Sequence, residues 1–164
     1  MRSWAELNWP HAGRLVPVQN YHLTLAFLDQ ISPAQRDSLE QQLQHVMPEV
    51  FDLHFDEVGY WSDSQVLWIA PSNPPDELMS LARRCARIAN NAGIRVNKKR
   101  YRPHLTLARR VLNPPPPAMQ DRQFVTRVDG FALCESIRDS NARAAPGQRH
   151  QLVWWIGWRD PQYL

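Results

Sequence analysis

The pentapeptide HLTLA occurs twice in this chain, at residues 22–26 and again at residues 104–108. Leucine and threonine within an apolar stretch favour a β-strand, and side chains two positions apart on a strand share one face. Each copy therefore predicts a strand with a histidine and a threonine on one face and leucines behind them. Repetition of a polar pair within apolar strands has no packing rationale, so it indicates a functional site.

The segments around the two copies follow a similar order of predicted strands and helices. The first helix begins with Ser32 as its N-cap and Pro33 at its first position, and the second begins at Asn73 and ends at Gly93. We predict strands over residues 21–28, 50–61, 65–71, 103–109, 124–137 and 150–158, helices over 31–46 and 72–93, a helix end over 3–9, an extended piece over 13–17 and a polyproline-like loop over 113–120.

This order predicts an α+β fold, built as a single domain over residues 1–164. We expect two similar lobes with pseudo-symmetric antiparallel or mixed sheets, helices on the outside and a central cleft. The HLTLA strands would be the equivalent central strands of the two lobes.

Composition excludes few functions, but the distribution of charge is informative. Apolar residues make up 43% of the chain and charged residues 21%, as in globular proteins, and the formal net charge is only +3. Seven basic residues without an acid lie between positions 95 and 110, which favours binding of a polyanion. They are Arg95, Lys98, Lys99, Arg100, Arg102, Arg109 and Arg110.

The remaining bulk features predict a cytosolic protein without a structural metal. No apolar run reaches the roughly 18 residues that cross a bilayer, and the first residues lack the layout of a signal peptide. Cys85 and Cys134 lie far apart, so neither a disulfide framework nor a zinc ribbon is predicted, and both are expected to be buried apolar residues.

Two histidines facing each other suit acid–base chemistry on a phosphate. Because imidazole titrates near pH 6.5, one ring can take a proton from an attacking group while the other gives one to the leaving oxygen. Hydroxyls of Thr24 and Thr106 are placed to hold phosphate oxygens between His22 and His104, and Arg109 adds a charged fork that suits phosphate.

A zinc site is the competing use of histidines. His11, His45, His54 and His150 show no HxxxH spacing, and no Cys/His cluster is present. We therefore predict neither a metal nor a cofactor.

The two HxT motifs about eighty residues apart resemble those of the two-histidine (2H) phosphoesterase superfamily. Within it, the stretches GRLVPVQNYHLTLAFLDQIS and RPHLTLAR are similar to those of the RNA 2′,3′-cyclic phosphodiesterases, also called 2′-5′ RNA ligases. The resemblance extends from about Gly13 to the C-terminus.

The resemblance implies that His22 and His104 are catalytic and that Thr24, Thr106 and Arg109 bind phosphate. It implies opening of a 2′,3′-cyclic phosphate on an RNA end or a small cyclic nucleotide to a 2′-phosphomonoester. For this direction we assign His22 as the acid and His104 as the base, an order that the sequence leaves open. Family members begin with a strand that this sequence lacks, so we expect an unpaired sheet edge and self-association through it.

Two alternatives stay open at this point. Ligation of RNA through a 2′-5′ bond uses the same atoms in reverse, and a non-catalytic protein could keep the cleft as a pocket for RNA phosphate. Tyr101 and Trp61 are the candidates for stacking on a base, although aromatic residues in sheets more often lie in the core.

Overall fold

The computed structural model describes residues 13–96, 100–113, 123–136 and 153–159, with the backbone alone at 136 and 153–159. Within these ranges the chain forms two helices and nine strands, which confirms the α+β prediction. The predicted helix end at 3–9, Lys98 and Lys99, and nearly all of the polyproline-like loop lie outside the described residues.

The strands are assembled into a large and a small antiparallel sheet. They are β1 (Arg14–Leu15), β2 (His22–Asp29), β3 (Phe51–Phe55), β4 (Glu57–Trp61), β5 (Val66–Ala70), β6 (Leu105–Arg109), β7 (Phe124–Val128), β8 (Ala132–Ser136) and β9 (Val153–Arg159), with helices α1 (Pro33–Leu43) and α2 (Asp76–Asn91). Six strands of the large sheet lie in the order β4-β5-β6-β2-β9-β8, and β1 also pairs with β6, while β3 and β7 form the small sheet.

Both HLTLA strands lie at the centre of the large sheet and are neighbours, instead of being the centres of two separate sheets. β2 and β6 pair at Leu23 and Leu105. β1 occupies the same edge of β6 further along, where Arg14 pairs with Arg109. Contact between the motif strands is therefore confined to the ends that carry the histidines, and the strands diverge beyond it.

Two of the predicted long strands are each divided between the sheets. The stretch 50–61 breaks at Asp56, whose carboxylate accepts hydrogen bonds from the backbone N–H and the hydroxyl of Ser72, both at 2.7 Å. The stretch 124–137 breaks at 129–131, which include Gly130. Adjacent polar or turn-forming residues mark both breaks, Asp56–Glu57 in the first stretch and Asp129–Gly130 in the second, but neither break contains a proline, and the sequence prediction runs each stretch on as one strand.

The helix ends follow local chemistry. Ser32 caps α1 in a capping box with Gln35, as predicted, and Gly93 at φ +75° ends α2. The prediction that Asn73 begins α2 is wrong: the cap is Pro75, in extended conformation, and the helix begins at Asp76. With Asn73 as the cap, Pro74 would be the first helical residue, but Pro74 precedes Pro75 and is therefore driven out of the helical region.

The core lies between the sheet and the helices, and α2 packs its predicted apolar stripe against β2. Cys85 is fully buried there, as predicted, and burial raises the pKa of its thiol to about 12. Cys134 is only half-buried. The stripe comprises Leu78, Leu81, Ala82, Cys85 and Ile88.

Candidate active site

The register between β2 and β6 sets the two histidines and two threonines side by side. Because the strands are antiparallel and Leu23 is opposite Leu105, His22 lies opposite Thr106 and Thr24 opposite His104. Both leucines point into the core, so the four polar side chains share the other face, here called the motif face. Directly opposite Cβ atoms on such strands are about 4.5–5.5 Å apart.

Each motif strand contains a bulge immediately after its threonine. In β2 the step from Thr24 to Ala26 matches a single step on β9, and in β6 the step from Thr106 to Ala108 matches a single step on β5. The extra residues are Leu25 and Leu107. A bulge of this kind re-aims the side chains that come after it, and bulges are over-represented beside active sites.

The bulge brings the residue five positions after each histidine to the motif face. In a regular strand Phe27 and Arg109 would face the core, because they lie an odd number of residues from His22 and His104. Instead Phe27 is 56% exposed and Arg109 is exposed, while the alanines before them are buried. Phe27 was missed from sequence; the signal is the Leu-Ala pair that interrupts the alternation in both motifs.

Both imidazoles are held by the same backbone contact. Nδ1 of His22 lies 2.7 Å from the carbonyl oxygen of Asn20, and Nδ1 of His104 lies 2.7 Å from that of Arg102. A carbonyl oxygen only accepts, so in each ring Nδ1 carries a hydrogen and donates it. The proton that each ring gains or loses on titration is therefore the one on Nε2.

His104 lies in a less hydrated setting than an ordinary histidine. The ring of Trp61 packs against it edge-on, with centroids 4.7 Å apart. Burial lowers the pKa of His104 and the charge of Arg109 lowers it further, against the opposing effect of the Arg102 carbonyl. The neutral imidazole is therefore favoured near neutral pH, with Nε2 as a proton acceptor.

A cavity of 480 Å³ opens where β2 diverges from the chain that enters β6. Thr24, Phe27 and His104 line it together with Trp61. His22 and Thr106 are placed beside it only by the strand register, and Arg109 lies at the far end of β6, paired with Arg14 and Val66. The other walls come from Leu25, Ala26, Ala82, Arg83, Ala86, Val96, Arg100, Tyr101 and Arg102.

The two aromatic candidates for stacking on a base differ in exposure from Phe27. Trp61 is partly exposed and packs edge-on against His104. The hydroxyl of Tyr101 is buried and has no partner among the described residues, and burial raises the pKa of Tyr101. Phe27, with its exposed ring in the same cavity, is better placed to contact a base.

Part of the basic segment reaches the site. Arg100 and Arg102 line the cavity with His104, and Arg109 lies on the motif face. Within the described part of the chain no group of three or more histidine, cysteine or acidic side chains is arranged to hold a metal ion. The described helices also include none that is long and apolar enough to cross a membrane.

Comparison with known proteins identifies the family of this chain. The family model of the 2′-5′ RNA ligase superfamily matches residues 4–139. The RNA 2′,3′-cyclic phosphodiesterase of Escherichia coli strain K12 is 32% identical over 147 residues, which cover 88% of this chain and 82% of the relative. The protein of the same name from Aquifex aeolicus strain VF5 is 34% identical over 103 residues, covering 59% of this chain and 55% of that one.

Solved structures show the same fold. Escherichia coli LigT in complex with 3′-AMP superposes with a TM-score of 0.64 at 25% identity, covering 94% of this chain and 84% of LigT. A second structure, described as a phosphoesterase, gives a TM-score of 0.65 at 26% identity, with 96% and 88% covered. By the extent of the family match and the identity to its relatives, this chain belongs to the 2′-5′ RNA ligase superfamily.

Proposed function

We propose that this protein hydrolyses a 2′,3′-cyclic phosphate at the 3′ end of RNA, leaving a 2′-phosphomonoester. The observation that carries the proposal is the pair of HxT motifs, set opposite each other on β2 and β6 with both Nδ1 atoms held by backbone carbonyls. The name of the relatives, RNA 2′,3′-cyclic phosphodiesterase, supports the choice of substrate. The cleft between two pseudo-symmetric lobes, in which the RNA end would lie, is part of the same proposal.

His104 is the general base in this reaction. Its lowered pKa keeps the ring neutral near pH 7, so Nε2 takes a proton from the attacking water as the oxygen bonds to phosphorus. The Trp61 ring excludes water from one side of the imidazole. This arrangement supports the assignment of the general base to the histidine of the second motif.

His22 is the general acid that completes the proton balance. The bond between phosphorus and the 3′ oxygen breaks, and Nε2–H of protonated His22 gives its proton to that oxygen. One proton is taken up at His104 and one is released at His22, so a proton exchange with solvent resets the pair. In the reverse direction, ligation through a 2′-5′ bond, the two roles exchange.

The threonines and Arg109 stabilise the phosphate. Thr106 lies opposite His22 and Thr24 opposite His104, so a phosphate between the rings is flanked by a hydroxyl from each strand. The hydroxyls donate to the non-bridging oxygens, and the Arg109 guanidinium balances the charge that builds up on them. No metal takes part in any of these steps.

Phe27 contacts the terminal base. Its exposed ring shares the 480 Å³ cavity with Thr24 and His104, so a nucleotide whose phosphate lies between the histidines can place its base there. Stacking on an aromatic ring accepts any base, which supports activity on RNA ends of different sequence.

The proposal is tested with an oligoribonucleotide that ends in a 2′,3′-cyclic phosphate, incubated with the protein in the presence of EDTA. We expect conversion to the 2′-phosphate by the wild type and a fall of about 10²–10⁴-fold in kcat for H22A and for H104A. His54→Ala, in β3 of the small sheet, is the matched control and keeps full activity.

Three outcomes contradict the proposal. Binding of the oligonucleotide without turnover at any pH, by a protein whose fold is intact, indicates the non-catalytic RNA-binding alternative. Loss of activity in EDTA indicates a metal-dependent reaction instead. A 3′-phosphate product means that the 2′ oxygen leaves, which reverses the proposed geometry of attack.

A further inference from the structure

The motif face continues past the histidines onto an aromatic surface made by Trp61 and by Trp68, which the reaction does not use. Trp68 on β5 pairs with Thr106, and Gly59 on β4 pairs with Trp68, so the indole lies on the motif face beside the threonine. Trp61, two residues after Gly59 on the same strand, shares this face. Its ring lies 5.4 Å from that of Trp68, centroid to centroid.

Gly59 is what allows the indole to lie down on the sheet. A Cβ atom built on this glycine would be 2.0 Å from Cζ2 of Trp68 and 2.3 Å from Cη2. Any other residue would therefore push the six-membered ring away from β4. The position of Trp68 depends on a missing side chain on the neighbouring strand, and a glycine inside a strand often marks such a close approach.

A second cavity lies over this surface. It has a volume of 310 Å³, at the lower end of the roughly 300–1,000 Å³ of ligand pockets. Trp68 and Pro103 line it, and five residues are shared with the cavity that holds Phe27 and Thr24: Trp61, Arg100, Tyr101, Arg102 and His104. The two cavities are thus neighbours on either side of His104.

Two aromatic rings are the part of this cavity that matches a nucleobase. Trp61 and Trp68 lie tilted against each other and both line the cavity. Every nucleobase has a flat π-face that stacks on aromatic rings of this kind.

Two arginines lie between the cavities, where the phosphodiester that joins two nucleotides would pass. Arg100 and Arg102 are exposed and line both cavities. An RNA chain whose terminal nucleotide occupies the first cavity carries its next charge on the phosphodiester that joins it to the preceding nucleotide. That phosphodiester would pass the two arginines on its way to the second cavity.

We propose that Trp68 and Trp61 form a second base subsite, which takes the base of the penultimate nucleotide of the RNA end. This inference rests on the proposed function, because it uses the position of the terminal phosphate to orient the chain. It makes the preferred substrate an oligonucleotide of two or more residues, with mononucleoside cyclic phosphates as poorer substrates.

The test compares three substrates that end in a 2′,3′-cyclic phosphate: adenosine alone, a diadenosine dinucleotide, and the same dinucleotide with an abasic 5′ ribose. For the wild type we expect kcat/KM for the dinucleotide to exceed that for the abasic form by about tenfold, as for loss of one stacked base. In Trp68→Leu this ratio falls to about one. Trp68→Phe keeps a stacking ring and retains most of the ratio. Phe27→Leu lowers activity on all three substrates alike.

Equal kcat/KM for the dinucleotide and its abasic form in the wild type overturns the second subsite, whatever the variants do. A ratio that survives in folded Trp68→Leu also overturns it, because the base is then read elsewhere. If none of the substrates is turned over, the proposed function fails by itself. The second subsite is then tested by calorimetry with the 2′-phosphate forms of the same three compounds. A Kd for the dinucleotide that is tenfold tighter than that for its abasic form supports the subsite, and equal Kd values overturn it.

Discussion

The two HLTLA strands are alike up to their fourth residue after the histidine and differ at the fifth. β2 and the chain through β6 share the order of burial from histidine onwards, the bulge after threonine and the clamp of Nδ1 by the carbonyl two residues earlier. The residue that each bulge turns to the motif face is Phe27 in one strand and Arg109 in the other. In the second motif the ring of Trp61 also packs against His104.

This difference separates two roles within one repeated frame. The frame places a histidine and a threonine, and its fifth position after the histidine is open to any side chain because it points out of the core. An apolar ring there provides a surface for a base, and a guanidinium there provides charge for a phosphate. In the proposed reaction, the first motif faces the nucleoside and the leaving oxygen, and the second faces the phosphate and the water.

The largest effect that tests this division is the loss of either histidine on two matched substrates. On an ordinary cyclic phosphate both H22A and H104A lose about 10²–10⁴-fold in kcat. On a substrate with sulfur in place of the 3′ oxygen, the leaving thiolate, with a pKa of about 8.5 as a free thiol, needs no general acid. We therefore expect the sulfur substrate to restore most of the activity of H22A and none of that of H104A, measured as kcat at pH 7.

If the sulfur substrate restores the activity of H104A and not that of H22A, His104 is the general acid and His22 is the general base. Equal rescue of both, or of neither, would show that the motifs do not divide acid from base. The double variant H22A/H104A should stay inactive on both substrates, which controls for spontaneous opening of the sulfur compound.

The next effect comes from the residue that distinguishes the second motif. Arg109→Gln should lower kcat/KM by about 10²-fold, as for loss of one group that stabilises developing charge. Because the Arg109 cation lowers the pKa of His104, its removal raises that pKa, so the acid limb of the kcat/KM profile moves to higher pH. Arg110→Gln makes the same change of net charge one residue away and should leave the limb in place. If the acid limb stays in place in Arg109→Gln, the charge of Arg109 does not affect the pKa of His104.

A smaller effect is expected from the corresponding residue of the first motif. Phe27→Leu removes the exposed ring and should lower kcat/KM about tenfold on adenosine 2′,3′-cyclic phosphate. On ribose 2′,3′-cyclic phosphate, which has no base, the same variant should match the wild type. A tenfold loss on both compounds would mean that Phe27 supports the strand and not the base. The acid limb should not move in this variant.

Sequence predicted the repeated strands, the shared face of histidine and threonine, and the cap of α1, because these depend on neighbours a few residues apart. It missed Phe27, because the bulge is fixed by pairing with β9; the Leu-Ala pair interrupts the alternation locally but does not identify that distant partner. It joined β3 to β4 as one strand, because the adjacent polar pair Asp56–Glu57 does not by itself identify the partner that turns the chain, Ser72, which is sixteen residues away. The adjacency of the two motif strands likewise depends on pairing between distant parts of the chain.

The smallest effect tests the asymmetry around His104. Trp61→Leu exposes one side of the imidazole to water, which favours its charged form, so the pKa of His104 rises and the acid limb moves to higher pH. On adenosine 2′,3′-cyclic phosphate we expect activity within a few-fold of the wild type above pH 8, with the loss growing as the pH falls. Trp68→Leu, one ring further from His104, should leave the limb unchanged on this mononucleotide. Equal losses at all pH values in Trp61→Leu would mean that Trp61 contacts the substrate. Exclusion of water by Trp61 would then not be the reason that His104, in the second motif, is the general base.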